Sequence, residues 1–101
     1  MELISVRELY KNTAKYADQS IEIGGWVRNR RPSKQFGFIM LNDGTYFNPV
    51  QVVYNDTIEN FQEISKINIG AALIVKGTLV LTPDSKQPFE IQAATIEVEG
   101  P

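Results

Sequence analysis

Four basic residues, Arg28, Arg30, Arg31 and Lys34, fall within seven positions, and no acid lies between Glu22 and Asp43. Phe36 and Phe38 follow at once. Cations hold phosphates and flat rings hold bases, so this neighbourhood has the chemistry of a nucleic-acid contact. The plainer alternatives are a solvated rim for the basic residues and a core plug for both rings. A ring offered to a base would be worth roughly 1–3 kcal/mol. Further on, Gln51 supplies a donor and an acceptor and Glu90 a carboxylate that accepts, the groups that base-edge recognition needs. Each alone could equally be a solvated surface residue. The chain has no histidine and no cysteine. That removes the commonest general base, the usual zinc ligand, thiolate nucleophiles and disulfides. No phosphate-cradling glycine loop and no metal-ligand spacing occurs. A binding module is expected, with no catalytic residue and no metal site.

The elements that must position these groups are legible in the periodicity. At 101 residues, 43% apolar and 22% charged, the chain has room for one domain around a real core. Ser5 and Glu8 form a capping box, and Val6, Leu9 and Tyr10 recur at helical spacing, so a short helix is expected over 5–10. Alternation then predicts strands over 21–31, 36–41, 50–54, 72–81 and 89–98, with a helix near 57–66. Pro32 ends the first strand, and Gly24-Gly25 suggests a bulge or sharp coil within it. Asn42-Asp43-Gly44 reads as a turn, so Asp43 is a turn residue before it is a base or a ligand. Asp56 and Glu59 open a helix and are not a catalytic pair. Trp26 is expected to pack under the first strand with its indole N–H on a backbone carbonyl. Five strands with a helix between the third and fourth give the fold class: all-β with accessory helices, a five-stranded OB-fold Greek-key barrel. One domain is expected over 1–101, with a helical extension over 1–18 and the barrel over 19–99.

Strand parity refines the site. Phe36, Phe38 and Met40 share one face of their strand, and Gly37, Ile39 and Leu41 the other. Gln51 and Glu90 should point away from the core. Arg31 shares parity with core-facing Val27 unless a bulge or the strand end intervenes.

The formal charge is −2 and the pI about 5.0, unlike a globally basic nucleic-acid binder. No apolar run reaches the roughly 18–20 residues that span a bilayer, and the N-terminus lacks the order of a signal peptide. The expectation is a soluble, cytoplasmic chain with no membrane partner.

Several separated motifs, in order, carry a resemblance. Gly25-Trp26-Val27-Arg28-Asn29-Arg30-Arg31, Phe38-Ile39-Met40-Leu41-Asn42-Asp43-Gly44, Asn48-Pro49-Val50-Gln51-Val52-Val53 and Phe89-Glu90-Ile91-Gln92-Ala93 together resemble the anticodon-binding OB domain of asparaginyl-tRNA synthetases. The resemblance covers nearly the whole chain. It implies that Arg31, Phe38 and Gln51 meet the central anticodon uridine and that Glu90 reads the first anticodon base. Arg28, Arg30, Lys34 and Phe36 complete the RNA-binding set. The implied partners are asparagine tRNA and the parent enzyme's catalytic domain. Aminoacylation, with its ATP and Mg, belongs to that separate and larger domain, so this chain is expected to be no enzyme and to hold no cofactor. It is expected to be a monomer, excised from a homodimeric parent. Two other readings stay open. One is a free-standing OB module for unspecific single-stranded nucleic acid. The other is an OB domain whose Phe36 and Phe38 face meets a protein. The basic cluster argues against the protein partner, and Gln51 with Glu90 against unspecific binding.

Overall fold

The structure is a computed structural model that describes residues 3–100; Met1, Glu2 and Pro101 of the expected 1–101 domain lie outside them. Two short helices, α1 (Val6–Lys11) and α2 (Thr13–Tyr16), precede β1 (Ser20–Pro32), β2 (Phe36–Asn42) and β3 (Val50–Asn55). Helix α3 (Phe61–Ser65) leads to β4 (Ala72–Leu81) and β5 (Phe89–Gly100). The five strands close into a barrel in the order β1-β2-β3-β5-β4, with β4 returning to β1. All the pairings are antiparallel except β3 with β5, a parallel seam registered at Val52↔Ile91 and Val53↔Gln92. This is the expected five-stranded OB barrel.

Alternation decides what fills it. Ile21, Ile23 and Val27 of β1, Ile39 and Leu41 of β2, Val50 and Val52 of β3, and Leu79 and Ile91 of β4 and β5 are all essentially inaccessible. Each such side chain contributes roughly 1.5–3 kcal/mol by leaving water. Tyr54 and Phe61 pack ring to ring at 5.7 Å, which ties α3 to the barrel. Val6 and Leu9, both at 0% exposure, do the same for α1. No helix among the described residues is long and apolar enough to cross a membrane.

Local chemistry places the helix ends. The Ser5 hydroxyl accepts from the Glu8 N–H at 3.1 Å, as a capping box requires. Glu8 does not close the reciprocal half. Its carboxylate instead accepts from Tyr16 Oη at 2.6 Å and Asn12 Nδ2 at 3.0 Å, fastening α2 beside α1. The Tyr16 hydroxyl and the Asn12 amide together hold the Glu8 carboxyl below its ordinary range. The helix expected near 57–66 starts late, at Phe61. The Asn55 side chain accepts from the Thr57 N–H at 3.0 Å and also from its hydroxyl, and this turn occupies the positions where a helix would have begun.

Candidate nucleic-acid interface

One irregularity in β1 sets the geometry of the site. Val27 pairs with Leu41 and Asn29 with Met40, so Arg28 is an extra residue with no partner on β2. Before it, Val27 and Leu41 share the inward face. After it, Arg30 pairs with inward Ile39, and Arg31 pairs with Phe38 on the outer face. A one-residue insertion exchanges the faces of everything beyond it. Uninterrupted alternation from Val27 would have turned Arg31 inward. The bulge therefore falls at Arg28 and not at the glycine pair. Gly25 instead permits close approach, since a Cβ there would run into the Asn42 carbonyl.

The outer faces of β1, β2 and β3 and the segment between β4 and β5 enclose a hollow of about 430 Å³. Phe38 and Met40 form its apolar floor. Gln51, paired with Met40, stands beside them. Arg30, Arg31, Lys86, Asn29, Ser85 and Gln87 complete the lining, which thus includes three cationic residues and no acidic one. An anion with a flat apolar part fits this lining on both counts.

Of the eight residues named from sequence, the hollow brings together Arg30, Arg31, Phe38 and Gln51. Phe36 adjoins it through an edge-on contact with Phe38 at 5.6 Å and is 45% exposed, so neither ring plugs the barrel. Glu90 faces outward on β5 as parity requires, yet it does not line the hollow; it accepts a long hydrogen bond, 3.4 Å, from Gln92 Nε2. Lys34 is exposed in the turn between β1 and β2. Arg28 leans away from the hollow, with Nη1 donating to the Phe47 carbonyl at 3.3 Å.

Met40 lines the hollow as its shared face with Phe38 requires, while Asn29, Ser85, Lys86 and Gln87 line it and were not singled out from sequence. A signal existed for the last three, because the segment between strands four and five is a common ligand-contacting loop of this architecture. For Asn29 none existed without knowledge of the bulge. Trp26 also departs from expectation. It is 44% exposed, not packed beneath β1, and its ring lies beside Gly44. It pairs with Asn42 one residue before inward Val27, and alternation there turns it out.

Asp43 acts at the base of the neighbouring segment between β2 and β3. Its carboxylate accepts from the Val6 N–H at 2.9 Å and from the Thr45 N–H and hydroxyl at 3.0 and 2.6 Å. Partial burial works against its ionisation, but these donors outweigh it and hold the carboxyl below its ordinary range. The larger hollow of about 520 Å³ on another face is lined by Glu59, Glu63 and Glu97 and would repel a polyanion. Among the described residues no three acids stand close enough to hold a metal ion.

Comparison with known proteins follows the same lines. A tRNA anti-codon family model, described as an OB-fold nucleic acid binding domain, matches residues 21–99. The chain is 57% identical over 100 residues to an asparagine–tRNA ligase of Alkaliphilus oremlandii and 50% identical over 100 residues to that of Alkaliphilus metalliredigens. Each match takes in 99% of this chain but 22% of the relative, so the chain spans about a fifth of the relatives' length. Among solved structures, asparaginyl-tRNA synthetase from Pyrococcus horikoshii complexed with asparaginyl-adenylate superposes with a TM-score of 0.84. That match has 19% identity and covers 99% of this chain and 23% of the other. At that identity the likeness speaks for the fold.

Proposed function

We propose that this chain, which belongs to the family of OB-fold nucleic acid binding domains, holds the anticodon loop of asparagine tRNA as one module of a cytoplasmic asparagine–tRNA ligase. The observation that carries the proposal is the shared outer face of Arg31, Phe38 and Gln51. Phe38 supplies the surface on which an unpaired middle base stacks. Gln51 meets the edge of that base with its amide. Arg31, beside Phe38, reaches either the base or its phosphate, and Arg30 and Lys86 hold the backbone as it passes. Binding of this kind needs splayed bases, as an RNA loop provides and a duplex does not. Glu90, on the same outer surface but beyond the hollow, takes the neighbouring base. The amino-acid chemistry belongs to the remainder of the parent protein, which this module would serve by docking its tRNA.

The test is a titration of the chain with two anticodon stem-loops, one matched to asparagine and one with only the middle base changed. The matched loop should bind tighter by roughly 1–3 kcal/mol, the discrimination that good edge recognition supplies. Equal binding of both loops would return the domain to unspecific single-strand binding, and no binding of either would favour a protein partner.

A further inference from the structure

A second aromatic surface lies outside the hollow described above. Phe47, between β2 and β3, is 77% exposed. Its ring stacks on Tyr46 at 4.9 Å and 17°, and Tyr46 stacks on Tyr10 at 4.8 Å and 21°. Tyr10 in turn leans on fully buried Phe89 at 5.0 Å. Four rings thus form a ladder from the core to solvent. Hydrogen bonds to the backbone brace the three outer rungs. Tyr10 Oη donates to the Pro49 carbonyl at 2.6 Å, Asn42 Nδ2 to the Tyr46 carbonyl at 3.2 Å and Arg28 Nη1 to the Phe47 carbonyl at 3.3 Å. A ring held in this way loses little freedom when a ligand stacks on it, which favours binding.

The surroundings select the ligand. A hollow of about 410 Å³ runs past Tyr46 and Phe47 and is lined by Arg7 and Lys11 with no acid. Two carboxylates of the adjoining segments accept hydrogen bonds within the fold: Asp43 from Val6 and Thr45, and Glu8 from Tyr16 and Asn12. The Arg28 guanidinium, which the first hollow leaves out, stands here. A third hollow, of about 230 Å³, touches residues of both neighbourhoods. It shares Met40, Lys86 and Gln87 with the first, and it includes Tyr10, the ring beneath Tyr46. None of these three linings includes an acidic residue.

We infer that Phe47 is a second stacking platform, taking an unpaired base next to the one held at Phe38, with Arg7, Lys11 and Arg28 on its phosphates. The inference rests on the RNA reading given under Proposed function. It commits to single-stranded RNA because an exposed flat ring, stacked on Tyr46 and with cations in its neighbourhood, matches a nucleotide. An apolar protein surface would not need the cations, and a duplex exposes no free base face.

The experiment titrates the unaltered chain, Phe47→Ala, Phe47→Leu and Phe47→Trp with the matched stem-loop and with the loop altered at the middle base. Thermal melts accompany each variant, and because Phe47 is outside the core all should stay folded. Phe47→Ala should weaken both loops by at least fivefold and by the same factor, so discrimination is kept. Phe47→Leu should lose as much, because it retains apolar bulk without a flat ring, and Phe47→Trp should bind at least as well as the unaltered chain. Undiminished binding by Phe47→Ala overturns the platform. So does binding retained by Phe47→Leu alone, which would mark an apolar docking surface. Failure of the unaltered chain to discriminate the middle base would overturn the anticodon reading while the Phe47 series still decides the platform. Failure to bind either loop would overturn both.

Discussion

At the scale of single residues, the proposed roles of holding and reading fall to different side chains of the outer face and can be tested apart. Phe38 is half-buried and outward, and its neighbours on that face are Phe36 and Met40. Phe38→Ala should therefore leave the barrel folded and weaken stem-loop binding by about 1–3 kcal/mol, the worth of one stacked base. Paired titrations and thermal melts check this, and a variant that unfolds or binds unchanged would make Phe38 structural. Gln51 is neutral, so it cannot add phosphate affinity. Gln51→Ala should lower discrimination at the middle base by about 1–3 kcal/mol and leave the salt dependence as it was. Should it weaken matched and altered loops equally, specificity is set elsewhere. Arg31, which pairs with Phe38 and carries charge, should change both quantities when replaced by alanine.

Among the elements, α1 shows how a turn residue becomes a fastener. The first N–H groups of a helix have no partner within it, and Asp43 accepts the one from Val6 across 37 positions of chain. Because the native carboxyl binds its proton more weakly than the unfolded one, its stabilisation is complete above the ordinary aspartate value of about 3.9. It is lost as pH falls through the lowered native value. Asp43→Asn should consequently be less stable than the unaltered chain at neutral pH and lose less of its stability between about pH 5 and 2. Urea midpoints across that range measure the difference. A parallel acid limb in both proteins would refute the role. The sequence showed Asp43 only as part of a turn, since nothing local reveals that a helix near the N-terminus docks on it. The five strands were legible because alternation is local: β4 falls on the expected 72–81, and β2, β3 and β5 run a residue or two longer. The bulge at Arg28 was not, because it is a property of pairing between two strands. It alone explains why Arg31 joins Phe38 and Gln51, and why Arg28 does not. The late start of α3 has a similar origin, a side-chain turn at Asn55 that competes with the helix signal of residues 56–59.

For the whole molecule, charge is distributed more decisively than its sum suggests. A net −2 gives no general attraction to RNA, and the hollow holding Glu59, Glu63 and Glu97 repels it. Attraction must come from local cations, whose number salt dependence can count. On single-stranded RNA each phosphate contact contributes about −0.7 to the slope of log affinity against log salt. Arg30, Arg31 and Lys86 of the first hollow would give about −2. Adding Arg7, Lys11 and Arg28 around Phe47 would bring the slope to about −4. The unaltered chain should show the steeper value with a stem-loop, and Arg7→Ala combined with Lys11→Ala should flatten it by about 1.4 while keeping middle-base discrimination. Arg30→Ala should flatten it by about half as much and weaken both loops alike. A slope near zero would remove nucleic acid as the partner. One near −2 that is unmoved by Arg7→Ala and Lys11→Ala would confine the RNA to the Phe38 hollow, so a single salt series on three proteins decides both how the RNA is held and over how much of the barrel.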